Sequence, residues 1–111
     1  MKISDIANKL NMKVLAGEKA IAEEVTGVYV CDLLSWVMSH ARKGDAWITV
    51  HTHVNIVAVA LLTEVSCIII PEGIKVEEQT VNKANEEGIV ILSTECSAYE
   101  VCCMLYELVK Q

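Results

Sequence analysis

Several stretches of this chain are apolar without alternation: DAWITV at 45–50, SCIII at 66–70 and IVIL at 89–92. A strand with one wet face alternates apolar and polar residues. One that does not alternate is buried on both faces, so it needs parallel neighbours in its sheet and helices on either side. The connections are long enough to supply those helices.

Ile3 to Leu10 reads as a short amphipathic helix with Ser4 as its N-cap, and Lys13 to Ala16 as a short strand. Gly17 to Glu24 is a polar connection. Val25 to Val30 (VTGVYV) is β-branched and aromatic, as strands are. Asp32 is then expected to cap a helix that buries Leu33, Leu34, Val37, Met38 and Ala41 and stops at Gly44. In Val54 to Glu64 the β-branched residues favour a strand but the length favours a helix, and length decides. Ser66 to Ile70 is a strand stopped by Pro71. Glu77 to Glu87 is a polar helix with Val81 and Ala84 inward and Gly88 as its stop. After Ile89 to Leu92, Ser97 and Glu100 have capping-box spacing, and Ala98, Val101, Leu105 and Leu108 follow at helical intervals. From Val25 the order is β-α-β-α-β-α-β-α. The expected fold is a three-layer α/β/α sandwich on a small, mostly parallel sheet with right-handed crossovers.

The 111 residues suit one domain, 1–111, and 53% of them are hydrophobic, enough to predict self-association as a homodimer. The net charge is −6, and no basic cluster is longer than Arg42-Lys43. A nucleic-acid or anionic-membrane partner needs a cationic footprint, so neither is expected. With no signal-peptide pattern and Ile56 to Leu62 as its longest apolar run, the chain reads as cytoplasmic. Five cysteines without a CxxC read as reduced thiols.

In open parallel sheets, ligands bind beyond the carboxyl ends of the strands. That rule selects Cys31-Asp32, His51 to Asn55, Pro71 to Gly73 and Ser93 to Ser97. His51-Thr52-His53-Val54-Asn55 is the densest of these. It admits three readings: solvated loop residues, a contact for an anion beside a helix N-terminus, or a metal site completed by His40, Cys31 or Glu72. Ser93 and Thr94 can serve as caps alone. A Cys96 thiol–imidazole pair with His51 or His53 depends on proximity that spacing does not give. The chain contains no phosphate-binding loop, dinucleotide fingerprint or nucleophile elbow, so a non-catalytic role is expected, with no cofactor and no metal.

From about Val14 onward the chain resembles the DRTGG domain family. The resemblance runs through VLAGE, EVTGVYVCDLLSWV, KGDAWITV, HTHVNIVAVALL, SCIIIPEG and GIVILST. The family's Asp-Arg pair is replaced by Thr52-His53, with Asn55 where a further acidic residue is common. Its Thr-Gly-Gly position is held by Pro71-Glu72-Gly73, so only the last glycine of the naming motif is kept. The resemblance implies a fold similar to the N-terminal domain of HPr kinase/phosphorylase and a regulatory, dimeric role. It further implies binding of a small anionic ligand such as an adenine nucleotide, for which Thr52, His53, Asn55, Glu72, Gly73 and Thr94 are the candidate residues. The alternative is a ligand-free protein-interaction scaffold linked to hydrogenase or redox metabolism in an anaerobe.

Overall fold

A computed structural model describes residues 1–109. The continuously apolar segments become the strands β2 (Gly27–Val30), β3 (Asp45–Ile48), β4 (Cys67–Ile70) and β5 (Val90–Ser93). All four are parallel, in the order β5-β4-β3-β2. The early strand β1 (Lys13–Ala16) adds to the far edge, antiparallel to β5, with a register break between Val14 and Ala16.

Successive residues of a strand face opposite ways, and here each face has its own core. Ala46, Ile48, Cys67, Ile69, Val90 and Leu92 point towards α1 (Ile3–Lys9) and α5 (Ala98–Leu108), which contribute Ile3, Ile6, Val101 and Leu105. Trp47, Ile68, Ile70 and Ile91 point the other way. They meet Val37 of α2 (Leu34–His40), Ile56, Val57 and Ala60 of α3 (Asn55–Thr63) and Ala84 of α4 (Glu78–Glu87). This is the expected three-layer α/β/α sandwich. The ambiguous segment after Val54 is a helix, because the β3–β4 crossover requires one to cover the sheet. Among the described residues no helix is long and apolar enough to cross a membrane.

Local details depart from the sequence reading. Lys2, not Ser4, precedes α1, and the Ser4 N–H is used by the Ile21 carbonyl. Asp32 does not cap α2. The helix starts after Leu33 without a side-chain cap, and the Asp32 carboxylate instead accepts from Thr49 Oγ1 (2.8 Å) and the Val50 N–H (3.0 Å). Leu33 and Met38, expected inside, are 63% and 45% exposed, because α2 covers the edge strand and only Val37 of the helix is fully buried. Gly44 does not end α2, which stops at Ala41; it turns the chain into β3 at φ +90°. In α4 the buried residues are Thr80 and Ala84, with Val81 only half-buried. The capping box at α5 is as expected: Glu100 N–H donates to Ser97 Oγ (3.2 Å) and Ser97 N–H to Glu100 Oε1 (2.9 Å). The Ser97 backbone N–H, and then its hydroxyl, hold the Glu100 carboxyl below the usual carboxylate range.

Candidate functional site

The ladder pairs Ile48 with Ile69, and Ile69 with Leu92, so the residues after β3, β4 and β5 emerge along one edge of the sheet. The edge is stitched together by its own backbone. Gly73 N–H donates to the Thr94 carbonyl (2.8 Å), Glu72 N–H to the Cys96 carbonyl (2.7 Å) and Thr94 N–H to the Ile70 carbonyl (3.1 Å). Buried Thr94 also accepts the Cys96 N–H on its hydroxyl (3.2 Å). Thr94, Glu72 and Gly73 are therefore brought together, but the two turn N–H groups are already used and cannot cradle an anion.

Glu72 and Gly73 are successive left-handed residues, each at φ +62°. The resemblance sets the naming motif's glycines at these two positions, and the left-handed conformation would give a physical reason for them. A glutamate in the left-handed region costs about 1–2 kcal/mol, of which glycine would return part after its own loss of chain freedom. Glu72→Gly should therefore raise the stability by about 0.5–1 kcal/mol, read as a higher urea midpoint at unchanged slope. A lowered midpoint would show that the Glu72 side chain makes a stabilising contact.

Thr52 faces the start of α4. Its carbonyl accepts from Thr80 Oγ1 of α4 (2.6 Å), and its hydroxyl lies 3.4 Å from Glu77 Oε2. His53 and Asn55 open α3: the Asn55 N–H donates to His53 Nδ1 (3.2 Å). The accepting nitrogen must carry a lone pair, so the neutral ring holds its proton on Nε2, and that exposed ring can donate to a ligand. His51 turns away from His53, its Nε2 donating to the Asp32 carbonyl and fastening the β2–α2 loop to the end of β3. The two histidines therefore serve different loops. Among the described residues no group of three or more His, Cys, Asp or Glu side chains is placed to hold a metal ion.

Charge along this edge is mostly negative. Asp32, Glu72, Glu77 and Glu95 are exposed here, with Lys75 the one lysine of the loop after β4. The Glu95 carboxylate lies so close to Gly73 that a β-carbon there would stand 2.6 Å from Oε2. Sequence reasoning selected the edge but missed this array, because its carboxylates belong to three separate loops and one helix start.

Cys67 and Cys102 are not activated. Complete burial pushes the Cys67 thiol up to about 12, and burial, then the neighbouring Cys103, raises Cys102. Cys96 bonds through its backbone to Thr94 and Glu72, and no hydrogen bond among the described residues joins it to a histidine.

The larger cavities lie elsewhere. One of about 710 Å³ is lined by Lys43, Gly44, Val65, Ser66, Gly88 and Ile89, at the amino ends of the strands. Another of about 800 Å³ lies between Gly17–Lys19 and the end of α4. None of the six candidate residues lines either; a cavity of about 470 Å³ lined by Val54, Glu78 and Asn82 adjoins the strand-end ledge.

A two-sided parallel sheet with an antiparallel edge and a left-handed turn after β4 defines the class. The DRTGG domain family matches residues 5–108, and the chain belongs to it. Among solved structures it is similar to the CBS and DRTGG domains of the regulatory region of Clostridium perfringens pyrophosphatase, complexed with the activator diadenosine tetraphosphate. That likeness has a TM-score of 0.74 at 15% identity, covering 97% of this chain and 47% of that one, and it is a likeness of fold. This chain thus spans about half the length of that structure. No curated protein matches it.

Proposed function

We propose that this chain is a single, non-catalytic regulatory module that meets a nucleotide-type ligand along the strand-end ledge. The observation that carries the reading is the fixed backbone of that ledge. Glu72, Gly73 and Thr94 are bonded to one another's loops, while His53, Asn55 and Glu72 stand exposed on it. The His53 ring, the Asn55 amide and the Glu72 carboxylate, set on that fixed backbone, suit the base and ribose of a nucleotide. The carboxylates of Asp32, Glu72, Glu77 and Glu95 would repel its phosphates, so these must leave the ledge towards solvent. The pyrophosphatase regulatory region, with its nucleotide activator, supports the regulatory part of the reading.

Thermal unfolding against a panel of adenine nucleotides tests it. A ligand at 100 times its dissociation constant adds about 2.7 kcal/mol to a native state that alone binds it. His53→Ala should abolish that shift, and should cost the free protein only the exposed bond from the Asn55 N–H, about 0.5–1.5 kcal/mol. A shift that survives in His53→Ala would remove the ligand from this ledge, and a flat panel would remove the ligand altogether.

A second reading, a protein-interaction scaffold, is favoured by a different observation. Val30, Leu33, Trp36 and Met38 are 45–63% exposed around a single helix and its neighbouring strand. Apolar side chains gathered in this way mark contact surfaces.

A further inference from the structure

The cavity of about 470 Å³ beside the strand-end ledge lies between the start of α3 and the exposed face of α4, lined by Val54, Glu78, Gln79, Asn82, Lys83 and Glu86. Small-molecule sites span about 300–1,000 Å³ and combine apolar surface with a few fixed polar groups. Val54 connects cavity and ledge, because it stands between His53 and Asn55 in the chain. Its loop is held against α4 by two side chains. Thr80 Oγ1 donates to the Thr52 carbonyl (2.6 Å), and Thr52 Oγ1 donates to Glu77 Oε2 (3.4 Å). The fold itself therefore sets the width of the gap between loop and helix.

Charge decides which part of a ligand can enter. Glu78 and Glu86 outnumber Lys83, whose ammonium is directed along the helix to Glu86 (3.7 Å) and Glu87 (3.9 Å). Glu78 has no ion pair among the described residues. Phosphates are repelled here as they are on the ledge, so the group that fits is neutral. It must also donate, because a carboxylate only accepts, whereas a carboxamide both donates and accepts. Residues four apart on a helix stand side by side, so Glu78 and Asn82 of α4 present those two kinds of group together.

We infer that this cavity seats the base of the ledge's ligand and selects a base whose exocyclic amino group lies next to a ring nitrogen. The inference rests on the nucleotide reading above and assigns its parts: the base between Val54 and α4, the ribose at His53 and Asn55, the phosphates outward. The Asn82 carboxamide bonds the amino group and the ring nitrogen together, as carboxamides do with adenine. The second amino hydrogen then goes to the Glu78 carboxylate. A carbonyl in place of the amino group would turn its lone pairs on that carboxylate. Asn82 can rotate its amide to suit either edge, but Glu78 has no hydrogen to offer, so Glu78 is the residue that discriminates.

Calorimetric titration of the full chain with adenosine monophosphate and inosine monophosphate tests it, since inosine carries the carbonyl. The wild type should bind the adenosine compound about tenfold more tightly, the worth of one bond to a charged group. Glu78→Gln supplies an N–H that can meet the carbonyl and should bring the two affinities within about twofold, chiefly by tightening the inosine compound. Asn82→Ala places a better helix former at an exposed helix position, so the fold is kept. It should weaken the adenosine compound by about tenfold. Equal binding of both nucleotides by the wild type would overturn the seat and leave the ledge reading standing. So would a preference that survives in Glu78→Gln, or adenosine monophosphate affinity unchanged by Asn82→Ala. Binding of neither nucleotide would overturn the nucleotide reading and the seat with it.

Discussion

Gly17→Ala should destabilise the protein by about 3 kcal/mol or more, read as a fall in melting temperature of more than about 12 °C at the 4–8 °C per kcal/mol expected of a domain this size. Two costs combine. Gly17 is left-handed at φ +73°, where a side chain costs about 1–2 kcal/mol. The new β-carbon would also stand 2.3 Å from the Ile89 carbonyl oxygen and 2.6 Å from the Val90 nitrogen. Both atoms belong to the backbone at the start of β5, so relief requires moving a strand of the sheet. Movement would also strain the bond from the Gly17 N–H to Asn85 Oδ1 (2.8 Å), which ties this turn to α4. Gly88→Ala is the control: φ is +71°, but nothing lies within 4 Å of its added carbon, so only the conformational cost applies. Equal losses in the two variants would mean that the close approach of Gly17 to β5 contributes nothing.

Trp47→Ala should cost about 3–5 kcal/mol, a large share of the 5–15 kcal/mol that holds a domain of this kind together. Trp47 is the largest fully buried side chain, and its Nε1–H donates to the Cys31 carbonyl at 2.9 Å. Truncation leaves a cavity over the centre of the sheet and a carbonyl without its partner. Trp47→Phe separates the two effects, since it retains most of the volume and should lose about 1–3 kcal/mol for the unmet carbonyl. Urea titration of both variants, followed by far-UV circular dichroism, gives the comparison. A loss below about 1 kcal/mol for Trp47→Ala would mean that α2 and α3 collapse onto the gap.

What the sequence disclosed follows from the range of the interactions involved. The strands were legible because burial on both faces removes alternation, and the Ser97–Glu100 capping box because its partners lie three residues apart. The role of Asp32 was misread because its partners, Thr49 and Val50, are distant in sequence and adjacent only across two strands. Leu33 and Met38 were placed inside because helical spacing reports which side chains share a face, not whether anything covers that face. Thr80 was overlooked as a core residue because its hydroxyl is satisfied by the Thr52 carbonyl, again a contact between elements. For the site, the strand-end rule located the ledge. The spent N–H groups of Glu72 and Gly73 and the surrounding carboxylates depend on how separate loops converge.

The antiparallel strand β1 also sets an order of events at the ribosome. Lys13 pairs with Ser93, so the earliest of the described strands has no partner until the latest of them has been made. At about 5–20 residues per second, synthesis of the intervening chain takes about 4–16 s. Helix α1 can bond early to Ile21 and Glu23, but its core is completed only by Val101 and Leu105 of α5. For that interval the sheet can assemble only as its parallel centre, with the side of β4 that β5 will occupy still unpaired. Chaperone capture is therefore expected to concentrate in that window and to end when β5 emerges.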